Sequence, residues 1–305
     1  MISFRYHLVS LVAVFLALAV GVVVGTTALS GPITKDLRNQ VDTAKKQRNA
    51  LATQVDALHH QVGDAAQFAS AYGSQLVAGR LSDDSVLVVD LPGVTTAMSD
   101  GVDHALTAAG AKISGQLAVQ QDYLEASQGN GINALATGPA HPMGLKLPTT
   151  SDAGQLGGAL LAYVLLGKGE QTDLSQVLGG FEQLHMIQVT GDTVTPATNV
   201  VVVSQGSRAH NDYGGAAELA LVNALAQSGG HVVVSGDPAS ATKAGLVALV
   251  RNSGAARTNV ATVDNANNAF GQVSSVLALA DAIKGNVGQY GTGQGVDALF
   301  PQPGS

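Results

Sequence analysis

The 305-residue chain has no cysteine and no tryptophan, and only 12% of its residues are charged. Without cysteine there is neither a disulfide framework nor a reactive thiol, so redox chemistry leaves the compartment open. Lysine and arginine number 15 against 22 acidic residues, a formal balance of −7. The clustered basic face that nucleic acid requires is therefore missing, and nucleic acid is not an expected partner. No Walker loop, G-x-S-x-G elbow or H-E-x-x-H pair occurs, and no G-x-G-x-x-G follows the first strand-like segment. With those signatures absent, the chain does not read as an enzyme and no cofactor is evident.

What is abundant is apolar sequence at the amino end. No formally charged residue falls between Arg5 and Lys35. As a helix, Leu8–Thr27 spans roughly 30 Å, the depth of a bilayer's hydrocarbon core. The alternative is a cleaved signal sequence, with Arg5 as its basic start and Ala28-Leu29-Ser30 as a small-residue site, although such an apolar region runs only about 7–15 residues. Residues 1–29 are accordingly expected to be a transmembrane anchor or signal.

Residues 30–79 follow with a second pattern. Leu37, Val41, Ala44, Arg48, Leu51, Val55, Leu58, Val62, Ala65, Ala69, Tyr72 and Leu76 alternate steps of four and three, the 3.5-residue period of a coiled coil. Val41, Arg48, Val55, Val62, Ala69 and Leu76 take the a positions, with Leu37, Leu51, Leu58 and Tyr72 among the d positions. β-Branched residues at a with leucine at d predict a parallel dimer, and Arg48 at an a site would fix its register. One long helix packed on its own domain is the alternative. Lys35, Arg38, Lys45, Lys46 and Arg48 form a basic collar near the anchor. Counted alone, the collar would keep the domain cytoplasmic. The export-like start and the tolerance of long domains for translocation argue instead for a single-pass protein with its carboxyl-terminal domain outside the cytoplasm.

Beyond Gly79 the periodicity changes. Short apolar runs at Val86–Val89, Ile113–Val119, Val200–Val203, His231–Val234 and Asn259–Val263 read as strands. Helical patterns fit Thr95–Ala109, Ser151–Leu166, Leu174–Leu184, Tyr213–Gln227, Ala239–Asn252 and Ala266–Ile283. Alternation of this kind predicts an open, mainly parallel α/β sandwich of flavodoxin-like or Rossmann-like type over residues 80–285. Gln128–Thr150, punctuated by glycine and proline, reads as loop, and Ile187–Val194 could add an antiparallel edge strand. Residues 286–305 read as a disordered tail in which Gly291, Gly293 and Gly295 have no structural use.

Open α/β sheets bind ligands beyond the carboxyl ends of their strands. The loops there are Asp90-Leu91-Pro92-Gly93, Ser204-Gln205-Gly206-Ser207-Arg208, Ser235-Gly236-Asp237-Pro238 and Asp264-Asn265. Gly206, Ser207 and Arg208 could hold an anion through backbone N–H groups and one guanidinium; an ordinary strand-to-helix connection is the alternative. Metal-ligating types neighbour each other at His141-Pro142-Met143 and His185-Met186. His141, Met143, His185 and Met186 would form a site only if the segment between them folds back.

The opening Met1-Ile2-Ser3-Phe4-Arg5-Tyr6-His7-Leu8-Val9-Ser10-Leu11, running into Val14-Phe15-Leu16-Ala17-Leu18-Ala19-Val20-Gly21, resembles the start of the actinobacterial family named for mycobacterial copper transport protein B. The order of anchor, coiled coil and α/β domain extends the resemblance over the whole chain. It implies a membrane protein of copper efflux or homeostasis, with copper as the metal handled. The chain also resembles a corynebacterial envelope protein whose coiled coil, with a membrane partner, activates a peptidoglycan hydrolase during division. That second resemblance implies a non-enzymatic scaffold. Soft Cu(I) prefers thiolate and thioether, and beyond Met1 only Met98, Met143 and Met186 offer sulfur.

Overall fold

The computed structural model describes residues 4–191, 193–207 and 212–302, except for the side chains of 4, 5, 26–34, 59, 61, 62, 65, 66, 70 and 212. The chain divides into two compact units, residues 1–64 and 65–305. One helix, α1 (Phe4–Val77), supplies the first unit and enters the second.

Within the first unit, Tyr6–Gly25 is long and apolar enough to cross a membrane, and none of it is buried. Leu37, Val41, Leu51, Val55 and Leu58 are also uncovered, each between 45% and 61% exposed. Arg48 is exposed and donates to Asn49 Oδ1 at 3.2 Å. Val62 lies outside the residues whose side chains are described.

The second unit opens with the last turns of α1, where Ala69, Gly73 and Val77 are buried. Tyr72 and Leu76 are exposed, and the Phe68 and Tyr72 rings lie 4.9 Å apart. Ala69 therefore faces its own domain, which corrects its expected place in an intermolecular seam. A Cβ on Gly73 would lie 2.9 Å from Val273, so this glycine permits the close approach.

The elements that follow are β1 (Ser85–Asp90), α2 (Thr96–Ala108), β2 (Lys112–Val119), α3 (Gly129–Thr137), α4 (Ala153–Leu165) and α5 (Gln171–Gln183). After these come β3 (Ile187–Thr190), β4 (Asn199–Ser204), α6 (Asp212–Gln227), β5 (His231–Gly236), α7 (Leu246–Asn252), α8 (Gly254–Arg257), β6 (Val260–Val263), α9 (Ala269–Ile283) and β7 (Gln289–Tyr290). Among the described residues the sheet has seven strands in the order β3-β2-β1-β4-β5-β6-β7. Its neighbours are parallel except β3, which pairs antiparallel with β2, Gln116 opposite Thr190.

Both faces of the sheet are covered, which is why Val200–Val203 is uninterrupted valine with no exposed side chain. Leu87, Val89, Val202 and Val234 pack with α4, α5, α6 and α7 on one face, while Val86, Val88, Val201 and Val233 pack with α2 and α9 on the other. From β1 the chain first moves outward to β2 and later, through β4, in the opposite direction. Right-handed crossovers then place α2 and α6 on opposite faces, and the gap between β1 and β4 is the topological switch point.

Three further expectations are corrected. Residues 128–150 are not all loop, because α3 occupies Gly129–Thr137. Gly131 serves packing there, since a Cβ would lie 3.1 Å from Leu184. The helix expected from Ala239 starts at Leu246, because Asp237 Oδ1 accepts the Ser240 N–H at 2.8 Å and folds the intervening residues into turns. The segment expected to be a disordered tail supplies β7 and the contacts of a buried ion pair described below.

Candidate functional site

Among the four strand-end loops, the one after β1 opens onto a cleft of about 360 Å³. Asp90 ends β1, Gln116 comes from β2, Ser99 and Asp100 from the first turns of α2, and Thr190 from β3. Asp90 Oδ2 accepts from Ser99 Oγ at 2.7 Å and from Gln116 Nε2 at 2.9 Å, and Gln116 also donates to Ser99 Oγ at 2.8 Å. The other carboxylate oxygen, Asp90 Oδ1, is enclosed and has no hydrogen-bond partner among the described residues. Burial pushes the Asp90 pKa up against the lowering effect of its two hydrogen bonds, with Asp100 adding repulsion. Asp103, one turn further along α2, is held up to about 6, first by burial and then by Asp90 and Asp100. The Asp90 loop was visible in the sequence. Ser99 and Gln116 were not, because a serine inside a helix and a glutamine inside a strand carry no local signal.

In each of the other three loops a described residue is bonded internally. Gly206 N–H, a candidate anion donor, gives its hydrogen bond to Asp237 Oδ1 at 2.9 Å. An internal carboxylate thus takes the place an external anion would fill, which removes Gly206 from that role. Ser207 is exposed, and Arg208 lies outside the described residues. Asp237 belongs to the third loop and is committed by the same bond.

At the end of β6, Asp264 pairs with Arg251 of α7 at 2.7 Å, their side chains 0% and 1% exposed. Asp264 Oδ1 and Oδ2 accept the N–H groups of Thr292 and Gly293, each at 2.8 Å. Arg251 donates to Thr262 Oγ1 at 2.8 Å and to the Tyr290 carbonyl at 2.7 Å. A Cβ on Gly291 would collide with the Asp264 carboxylate, and its φ is +126°. The spaced glycines are thus the residues that let backbone wrap a buried ion pair.

The candidate metal ligands do not share one environment. Met186 is 0% exposed and packed in the core, whereas Met143 is 95% exposed. His185 is exposed with φ 55°, and His141 is half-buried with its Nδ1 enclosed and unpartnered. A two-sulfur site would require Met186 to leave the core. Among the described residues no group of three or more His, Cys, Asp or Glu is placed to hold a metal ion.

The family model described as "Copper transport outer membrane protein, MctB" matches residues 1–301. The chain belongs to the MctB family. It is 30% identical over 306 residues to the copper transporter MctB of Mycobacterium tuberculosis strain H37Rv, covering 97% of this chain and 98% of that one. The Mycobacterium leprae copper transporter MctB is 28% identical over 313 residues, covering 98% and 99% respectively. Because both alignments run nearly end to end, family membership extends to the apolar helix as well as the α/β domain. Copper transport is the description attached to the family and to these relatives.

Proposed function

We propose that the protein is a single-pass membrane anchor that holds its α/β domain outside the cytoplasm and pairs through residues 37–58. On this reading it contributes to copper efflux or homeostasis within an envelope assembly, not as a pore made from its own chain. The carrying observation is the row Leu37, Val41, Leu51, Val55 and Leu58, left exposed at four-three spacing on a helix that also carries a membrane-length apolar segment. A partner helix covering such a row would remove its apolar surface from water. A helical pore needs several spans and a barrel needs strands with one lipid-facing side. The central strands β1, β4, β5 and β6 are covered on both faces, which supports action through a partner.

A second reading, an envelope scaffold that recruits or activates a peptidoglycan hydrolase, uses the same exposed row. One experiment separates them. The full chain in detergent is expected to sediment as a dimer, and Leu51→Ala, Val55→Ala and Leu58→Ala together are expected to give monomers. Each wild-type side chain contributes about 1.5–3 kcal/mol when covered. In a deletion strain the triple variant should fail to restore copper tolerance. A monomeric wild type would refute the pairing, whereas restored copper tolerance with defective division would favour the scaffold.

A further inference from the structure

The exposed face of α1 over residues 37–58 carries charge of one sign beside its apolar row. The flanking e positions hold Arg38, Lys45 and Ala52, the g positions hold Gln40, Gln47 and Gln54, and Arg48 stands inside the row at a. The acidic residues of the stretch, Asp42 and Asp56, both take b positions, away from the row. Arg38, Lys45 and Arg48 are exposed and enter no ion pair among the described residues. The Arg48 guanidinium reaches only its neighbour, Asn49 Oδ1, at 3.2 Å. Three positive charges on or beside an apolar seam are thus uncommitted, and no carboxylate at a, d, e or g answers them.

A second copy of the chain does not answer them either. In a parallel pair the e residues of one helix face the g residues of the other, and residues at a meet their counterparts. Lys45 would face Gln40 of the second copy, and Arg48 would face Arg48. Like charges across a seam cost stability, so self-pairing is weakened at that layer. The same layer favours a carboxylate, because an arginine–carboxylate contact in a partly desolvated seam is a charge-assisted hydrogen bond. A phosphate-bearing surface would match the charges but leave Leu37, Val41, Leu51, Val55 and Leu58 in water, each between 45% and 61% exposed. Headgroups at the end of the apolar segment are also distant, since Gly25 to Arg38 is roughly 20 Å of helix against a screening length of about 8 Å.

We propose that residues 37–58 favour an acidic parallel helix of a second protein, with an apolar seam, carboxylates at g facing Arg38 and Lys45, and a carboxylate in the a layer of Arg48. The proposal rests on the reading of this stretch as a pairing face and adds the chemistry of the favoured partner. Self-pairing is the weaker state, occupied when that helix is absent.

The test uses the full chain in detergent at physiological salt, with three synthetic helical peptides that share one seam of valine at a and leucine at d. They differ only at g and at the a position opposite Arg48, which carry Glu, Gln or Lys. Calorimetry should show the Glu peptide binding about tenfold or more tighter than the Gln peptide, mostly through Arg48, since exposed flanking pairs are individually weak. The preference should vanish when Arg38→Gln, Lys45→Gln and Arg48→Leu are combined. Arg48→Leu alone should tighten self-association about tenfold, because it removes the like-charge layer. All three side chains are exposed, so the substitutions disturb no packing. Equal binding of the Glu and Gln peptides beside a persisting wild-type dimer would overturn the proposal and leave the pairing face standing. Unchanged self-association of Arg48→Leu would also overturn it, as would saturable binding of inorganic polyphosphate with no peptide preference. A monomeric wild type that binds none of the peptides would overturn both readings.

Discussion

Arg251 Nη1 and Asp264 Oδ2 meet at 2.7 Å with both side chains sealed from solvent, and the backbone of residues 290–294 closes over them. Charges so placed are tolerable only while each satisfies the other and every remaining hydrogen-bonding site is filled. The pair therefore fixes a segment whose composition alone would leave it loose.

Asp264→Asn should strand the Arg251 guanidinium in the interior and cost about 3–5 kcal/mol. Urea unfolding of the full chain in detergent checks this, and limited proteolysis should show new cleavage within residues 289–297. Arg251→Met with Asp264→Leu should cost less than Asp264→Asn alone, since no charge is left unpaired. A loss below about 1 kcal/mol for Asp264→Asn, the scale of an exposed pair, would contradict the structural role.

Asp103 gives a pH signature. Its carboxyl titrates at about 6 in the folded protein against 3.8 in the reference state. Between those values the folded chain holds a proton that the unfolded chain has released, so this group's contribution to stability falls as pH rises from about 3.8 to about 6. Above that range the cost of ionising Asp103 beside Asp90 and Asp100 is fully present. Asp103→Asn should raise the melting temperature at pH 7.5 and leave it nearly unchanged near pH 4. Equal effects at both pH values would mean that ionisation is not the cause.

The methionines separate packing from metal uptake. Met186→Ala should destabilise by about 2–5 kcal/mol as a core truncation, while Met143→Leu should be neutral. Cu(I) titration against a competing chelator should show weak uptake of little specificity, the same in wild type, Met143→Leu and Met186→Leu. Tight stoichiometric binding lost in either Leu variant would restore a direct copper site.

Orientation is tested with a reporter fused after Ser305 that is active only outside the cytoplasm. Activity, with the protein retained in carbonate-washed membranes, is the expected result. Activity of a cytoplasmic reporter instead would show that the collar of Lys35, Arg38, Lys45, Lys46 and Arg48 governs insertion.

Local pattern carries far in this chain and then stops. Continuous valine at 200–203, glycine and proline at strand ends, and helical spacing between them are enough to define a mainly parallel α/β fold, because burial on both faces removes the alternation that other sheets show. The apolar run at 6–25 and the family resemblance of the first residues are equally local. Strand order is not local, nor is the meeting of Asp90, Ser99 and Gln116, which depends on β1, α2 and β2 closing around one strand end. The glycines at 291, 293 and 295 resemble a flexible tail until Asp264 and Arg251 are seen beneath them. Composition measures how freely a backbone moves when alone, whereas a buried charge pair 28 to 43 residues earlier decides where it stops. Local sequence was enough for most strands and helices and for the family resemblance of the first residues; tertiary structure decided which polar groups are consumed internally, as Asp237 and Asp264 are, because their partners lie far away along the chain.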